Sequence, residues 1–281
     1  ILAILSSSSI AIGFKISSNY NLNKYSVAMA NYFMAFIISI YLLLKDYNII
    51  IMKSSLSEFF KISVLGILTG VLFFLSFILY QMAIKKHGAS ITSMFVKLGI
   101  LIPMIISIVL WKEYPTTIQS FAILASIGSI IIVNLNFKKE KLIHLKIILI
   151  SLFFIGGMAE FANKIFQKYF LIHNKSLFLF FVFISALLLN ILLVLKRKIK
   201  INKKELIGGS LIGIFNLSSS FFLIESLMYL KTSIAFALFS SISMSIIIIV
   251  STLFFEERLK EKDLIAVIIT FISLIIINSS L

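Results

Sequence analysis

Three ionisable side chains stand inside stretches of sequence that are otherwise almost wholly apolar: Lys97, Glu160 and Glu225. A charge in such surroundings costs several kcal/mol unless it is paired or put to use. Lys97 follows Ser90 and Ser93 at i, i+3, i+7 spacing, so the three share one helical face. Gly99 and Pro103 come next, and both loosen backbone hydrogen bonding. An ammonium there can meet a substrate carboxylate or phosphate, or it can form a structural ion pair with a Glu of another helix. Glu160 follows Gly156-Gly157 and has Lys164 at i+4, the favourable order for a local pair, with Asn163 one step from that face. It can bind a substrate ammonium, carry a coupling proton, or pair with Lys164. Glu225 can accept a proton or an ammonium, or reach the interface as a helix-end residue. Ser93, Asn163 and Gln81 complete the candidate binding set. No catalytic set accompanies them. The chain has no Cys, and its three His (His87, His144, His173) are far apart, so no metal, cofactor or enzymatic nucleophile is expected.

These groups must be held by elements, and composition says which. Of 281 residues 60% are hydrophobic and only 13% charged, against about 25% charged in soluble domains. The apolar residues run on without alternating, which excludes an outer-membrane barrel. The expected fold class is therefore an all-α integral membrane protein. Its ten transmembrane helices fall roughly at 1–17, 25–44, 59–84, 88–111, 116–136, 145–170, 176–195, 206–230, 232–255 and 262–280. The isoleucine run at 246–250 would suit a buried strand, but an isolated strand in lipid leaves its backbone unpaired, so helix is expected. The chain starts inside an apolar stretch and reads as a fragment with a truncated first helix.

A shift of 144 residues aligns the two halves. Ser76-Phe77 falls on Ser220-Phe221, Phe95 on Phe239, Ser107 on Ser251, Trp111-Lys112-Glu113 on Phe255-Glu256-Glu257, and Asn134 on Asn278. Gln81 falls on Glu225, which suggests a shared central cavity with an asymmetric role. Each half holds five spans, and an odd number makes the second half enter the membrane from the opposite side. That is the plan of inverted-repeat carriers, with the site near the midplane. The expected units are 1–137 and 143–281.

Two segments carry a resemblance. Tyr80-Gln-Met-Ala-Ile-Lys-Lys-His-Gly-Ala-Ser-Ile leads to Pro103 and Trp111-Lys-Glu113; Ile224-Glu-Ser-Leu-Met-Tyr-Leu-Lys-Thr-Ser-Ile leads to Phe255-Glu-Glu-Arg258. Both resemble the EamA-type pattern of the drug/metabolite transporter superfamily, although Lys112 stands where that pattern usually has Gly. The resemblance implies ten helices in two inverted five-helix repeats, alternating access and a helix-4 lysine in the position of Lys97.

The expected function is secondary active transport of a small polar metabolite, an amino acid or related zwitterion being favoured. Lys97 would meet the carboxylate and Glu160 or Glu225 the ammonium, with proton coupling through either Glu. A phosphorylated or cationic metabolite is the alternative; a channel or a membrane-embedded enzyme is more distant. Expected partners are a small-molecule substrate and the lipid bilayer, with no nucleic acid, in a monomer or homodimer of a multi-pass inner or plasma membrane protein. The net charge of +15 is mostly loop lysine, suited to anionic lipid. The odd-numbered connections hold about twice as many basic residues as the even ones, which would place the odd side in the cytoplasm; the resemblance implies cytoplasmic termini instead. Gly66-x-x-x-Gly70 and Gly209-x-x-x-Gly213 are expected to be packing surfaces. Asn31, Asn190 and Asn216 read as helix bridges and the Ser6–Ser9 run as a packing surface. Glu113, Glu256 and Glu257 read as caps at helix-opening turns.

Overall fold

The computed structural model describes residues 1–53, 55–112, 116–118, 120–121, 124–125, 128, 143–230, 232–257 and 261–279. Among the described residues nine α-helices follow one another: α1 (Leu2–Asn19), α2 (Lys24–Lys53), α3 (Leu56–Leu98), α4 (Leu101–Trp111), α5 (Ile143–Tyr169), α6 (Lys175–Lys196), α7 (Lys203–Tyr229), α8 (Thr232–Phe255) and α9 (Glu261–Ser279). No strand occurs among them, and the 246–250 run is helical. Five stretches are long and apolar enough to cross a membrane: Lys24–Ile50, Leu56–Trp111, Ile147–Tyr169, Ile172–Lys196 and Lys203–Tyr229. The span expected over 116–136 lies largely outside the described residues.

Local chemistry explains the helix ends. Ser55 and Glu58 form a reciprocal capping box at the start of α3, and Asn202 with Glu205 does the same for α7. Helix α2 runs past Lys45-Asp46, where the sequence suggested a stop. The Asp46 carboxylate accepts the hydroxyl of buried Ser176 on α6, so that charge is accommodated inside a helix instead of ending it. The third and fourth spans meet without a loop. Gly88, at φ +80°, bends the chain in a conformation only glycine adopts freely, and helix resumes at Ala89.

The order of packing is unusual, because α1–α8 touch the other half of the chain more than their own, α9 alone among the described helices lying mainly on its neighbour α8. Helix α1 lies on α7 and α8, α2 on α6 and α7, α3 on α5 and α6, and α4 on α5. These pairs interchange when α1–α4 are swapped for α5–α8. Glycines set the closest approaches. On α3, Gly66 and Gly70 face backbone atoms of Phe178 and Val182 on α6; on α7, Gly209 and Gly213 face backbone atoms of Val27 and Asn31 on α2. The buried amide of Asn216 donates to Asn31 Oδ1 at 3.1 Å across that second contact. A methyl group on Gly70 would stand 2.3 Å from the Val182 carbonyl oxygen, a backbone atom that cannot rotate away. Gly70→Ala is therefore expected to destabilise the protein by about 1–3 kcal/mol, the usual cost of overpacking. A fall in thermal midpoint in detergent checks it. Leu44, Leu68, Leu192 and Leu253 point outward and are exposed, as side chains facing lipid must be.

Candidate functional site

A cavity of about 120 Å³ opens between α1, α3, α5, α7 and α8. Its polar lining comprises Ser7, Ser76, Lys97, Glu160, Asn216 and serines of α7 and α8, and its apolar walls are largely aromatic, phenylalanine with Tyr80. Both charges come from elements whose backbone is forced into place. At the α3–α4 junction the regular ladder gives way to tighter bonds: Gly99 N–H donates to the Val96 carbonyl, Ile100 to Lys97 and Ile102 to Gly99. Pro103 has no N–H to offer the Gly99 carbonyl, so the helix breaks two residues after Lys97. Gly157 of α5 fits against that break, since a Cβ there would lie 2.4 Å from the Gly99 carbonyl oxygen. Glu160 is three residues further along α5. The two glycines thus bring the lysine-bearing turn and the glutamate-bearing turn together.

Lys97 is buried, at 5% exposure. Its Nζ donates to Ser7 Oγ at 2.6 Å and lies 4.2 Å from the centre of the Phe239 ring. Glu160 accepts from Asn163 Nδ2 at 3.2 Å and is close enough to Lys97 for each to feel the other's charge. Lys164 is turned elsewhere, donating to Gln167 at 3.0 Å and lying over the Trp111 ring. The local Glu160–Lys164 pair that the spacing offers is thus not the arrangement in the structure. An ammonium and a carboxylate face one cavity from different helices, which gives it opposite charges with a gap between them.

The other candidate residues take separate places. Ser93 is fully buried and hydrogen-bonds Tyr80 at 2.9 Å, holding the tyrosine that lines the cavity. Asn163, 1% exposed, stands behind Glu160. Ser90, Ser93 and Lys97 share a helical face but serve three different partners, Ser90 being bound to Glu257 at 3.0 Å. Gln81 and Glu225 do not reach the cavity. Gln81 donates to the Lys24 carbonyl at 3.3 Å, and Glu225 pairs with Lys175, whose Nζ also lies 3.5 Å from the Phe221 ring centre. Each ties the third helix of its half to the first residue of the second helix. With its charge already met by Lys175 and its side chain 38% exposed, Glu225→Gln is expected to leave ligand affinity within about twofold of the parent. A thermal-shift titration checks it.

Two contributors were not singled out from the sequence. Ser7 belongs to the Ser6–Ser9 run, and its place with Ile10 and Phe14 at i, i+3, i+7 is the signal that α1 turns a mixed face inward. Phe239 supplies the ring under Lys97, and a phenylalanine on an apolar helix carries no sequence signal of its own. Glu257 caps a helix of the first half of the chain; the turn that follows it, 258–260, lies outside the described residues. Its carboxylate accepts from the backbone N–H of Ala89 at 2.8 Å and of Ser90 at 3.2 Å, at the turn where helix resumes after Gly88. Lys15 of α1 closes on it at 2.5 Å. Glu113 lies outside the described residues.

The first half of the chain, residues 1–135, matches the EamA-like transporter family, and residues 178–270 match the Small Multidrug Resistance protein family. No curated protein matches the sequence. Among solved structures, one described as "Crystal structure of protein" is 13% identical and superposes with a TM-score of 0.67, over 98% of this chain and 93% of that one. That likeness concerns the fold alone. The two families indicate a membrane transporter, and with it a small-molecule substrate and a lipid surrounding. The chain is an integral multi-pass membrane protein, and its residues 1–135 carry the match to the EamA-like transporter family, which belongs to the drug/metabolite transporter superfamily.

Proposed function

We propose that the protein is a secondary transporter of a small zwitterionic metabolite, an amino acid or a close relative, and not an enzyme. The observation that carries the reading is the pair of opposite charges, Lys97 and Glu160, facing one small cavity from different halves of the chain. The cavity is well under the roughly 300–1,000 Å³ of pockets for drug-sized ligands, which favours a ligand of few atoms. Lys97 takes the carboxylate and Glu160 the ammonium. With one lysine at the cavity among the described residues, a phosphorylated ligand lacks its convergent cations; a simple cation would be repelled by that same lysine.

Alternating access between two inverted five-helix units, 1–137 and 143–281, is the mechanism we favour. Three observations support it. The packing partners interchange between halves, the glycine pairs of α3 and α7 dock on the second helix of the opposite half, and the broken helix lies beside the charged cavity. Residues 112 and 256, which the 144-residue shift superposes, also share a left-handed backbone, at φ +56° and +51°. Coupling to a proton through Glu160 belongs to the same proposal.

The test is a thermal-shift screen of the purified protein against amino acids, organic amines, organic acids and phosphate esters, followed by uptake into proteoliposomes. A ligand at about 100 times its Kd stabilises by about 2.7 kcal/mol, enough to read. Zwitterions should shift the midpoint while matched monofunctional amines and acids shift it less. A response to phosphate esters alone would overturn the substrate class. Uptake indifferent to an imposed pH gradient would remove proton coupling.

A further inference from the structure

A second cavity, about 410 Å³, lies between the α1–α2 turn and the end of the first segment of α3. Its lining includes Asn21, Lys24, Gln81, Lys85 and Lys86, and no carboxylate among the described residues. Lys85 Nζ donates to Asn21 Oδ1 at 3.3 Å, and Arg197 stacks 4.7 Å over the adjoining Tyr25 ring, adding to the positive charge of the turn. Glu205, a carboxylate held to this turn, is taken up by the backbone N–H of Asn23 and Asn202. This positive chamber and the Lys97–Glu160 cavity share one lining residue, Phe14. The Phe14 ring is buried, at 1% exposure, and sits edge-on to Phe77 at 4.6 Å and to Tyr80 at 5.1 Å. Three rings thus make a partition between the two spaces, and Phe14 is the part of it that faces both.

We propose that the outer chamber is an anion-collecting vestibule and that Phe14 is the ring that admits its contents to the central cavity. The proposal deepens the transport reading and rests on it for the meaning of the route. It also specifies which end of the substrate is recognised first. Low-dielectric walls with three lysines, and no carboxylate among the described lining residues, concentrate anions at the helix ends. A carboxylate-bearing ligand is held there by its acid group, while its ammonium finds no partner until it passes Phe14 and reaches Glu160. Gln81, on the chamber wall, offers a polar side chain on the way in. A single aromatic ring is a suitable barrier, because a rotation about χ1 and χ2 moves it without disturbing the helix that carries it.

The natural absence of Cys allows a test that needs no substrate. Single cysteines are placed in the vestibule (Ser18→Cys) and in the central cavity (Ser240→Cys). Each is reacted with an anionic sulfonatoethyl thiosulfonate and with its trimethylammonium analogue of similar size. At the vestibule cysteine the anionic reagent should react at least fivefold faster than the cationic one. Replacing Lys24, Lys85 and Lys86 by Gln should bring that ratio to about one; the ratio cancels any change in the thiol itself. At the cavity cysteine, reaction through the vestibule should be slow and should rise about tenfold or more in Phe14→Ala. Phe14→Leu, which keeps an apolar side chain, serves if Phe14→Ala fails to fold, and should raise the rate by a smaller factor. An anionic-to-cationic ratio near one in the parent, or a cavity rate unchanged by both Phe14 variants, overturns the proposal. Because labelling reports access alone, a protein that transports no zwitterion can still pass this test, and one that does can still fail it.

Discussion

Replacing Lys97 by Gln is expected to weaken binding of a zwitterionic ligand by about 10- to 100-fold and to bring uptake close to background. A hydrogen bond to a charged partner contributes about 1.5–3 kcal/mol, and here it is made by a buried ammonium whose other neighbours are a hydroxyl and an aromatic face. The substitution also leaves Glu160 without an opposing charge, so apo stability should fall as well. The two effects are separable. If Lys97 serves only as a structural partner of Glu160, the thermal midpoint of Lys97→Gln drops while the Kd, measured on the folded fraction by calorimetry, stays at the parental value. That outcome would sink the role assigned to Lys97. Glu160→Gln makes the complementary case: it should weaken binding of a zwitterion but not of the matched organic acid, because the acid has no ammonium to lose. In the double variant the two losses should not add, since each single change already deprives the ligand of the geometry that lets both ends bind at once.

Much of this was legible in the chain because membrane physics limits the choices. Apolar runs of sufficient length must be helices, and a lysine or glutamate inside one must face protein or a cavity. That reasoning places Lys97 and Glu160 where the structure has them. It treats Glu225 in the same way and misjudges its depth, because sequence does not show that Lys175 begins α6 within reach of it. The 144-residue shift superposes Ser76 on Ser220, and both serines line the central cavity. Gln81 and Glu225, also superposed, each tie two helices at a helix end. The position before the aligned glutamates Glu113 and Glu257, Lys112 in one half and Glu256 in the other, has positive φ in both. This gives a physical reason for the glycine found there in the pattern the chain resembles. What sequence could not supply was the partner of each group across the bundle. Ser7 and Phe239 against Lys97, and Glu257 at the Gly88 bend, all join residues far apart in the chain, and no local spacing encodes them.

The Glu257 contact has the second large expected effect, because one carboxylate holds three elements. It binds the turn after Gly88, Lys15 of α1 and, through the chain itself, the end of α8. Lys15 neighbours Phe14, so the same contact fixes the helix that carries the ring between vestibule and cavity. Glu257→Ala removes the acceptor for two backbone N–H groups and one hydroxyl and leaves Lys15 without its partner. A loss of about 2–4 kcal/mol is expected, read as a fall in thermal midpoint, and reagent access to a cysteine at position 240 should rise in parallel. Glu257→Gln should fall between the two, since its single carbonyl oxygen can still accept from Ala89. Burial pushes the Glu257 carboxyl up, but Lys15 and the Ala89 and Ser90 donors outweigh it and hold the group below the ordinary carboxylate range. Its contribution is therefore complete at neutral pH and at all pH values above the ordinary glutamate value of about 4.3. It is lost only as pH falls through the lower, folded value. Access to the cavity should accordingly stay flat from pH 7 to about pH 5 in the parent protein. Lys15→Ala removes the largest of the influences that hold the group low and leaves the Ala89 and Ser90 donors, so in that variant the opening should move to higher pH. A parent protein that opens between pH 7 and pH 5, with Glu257→Gln showing the same profile, would mean that another group controls the closure.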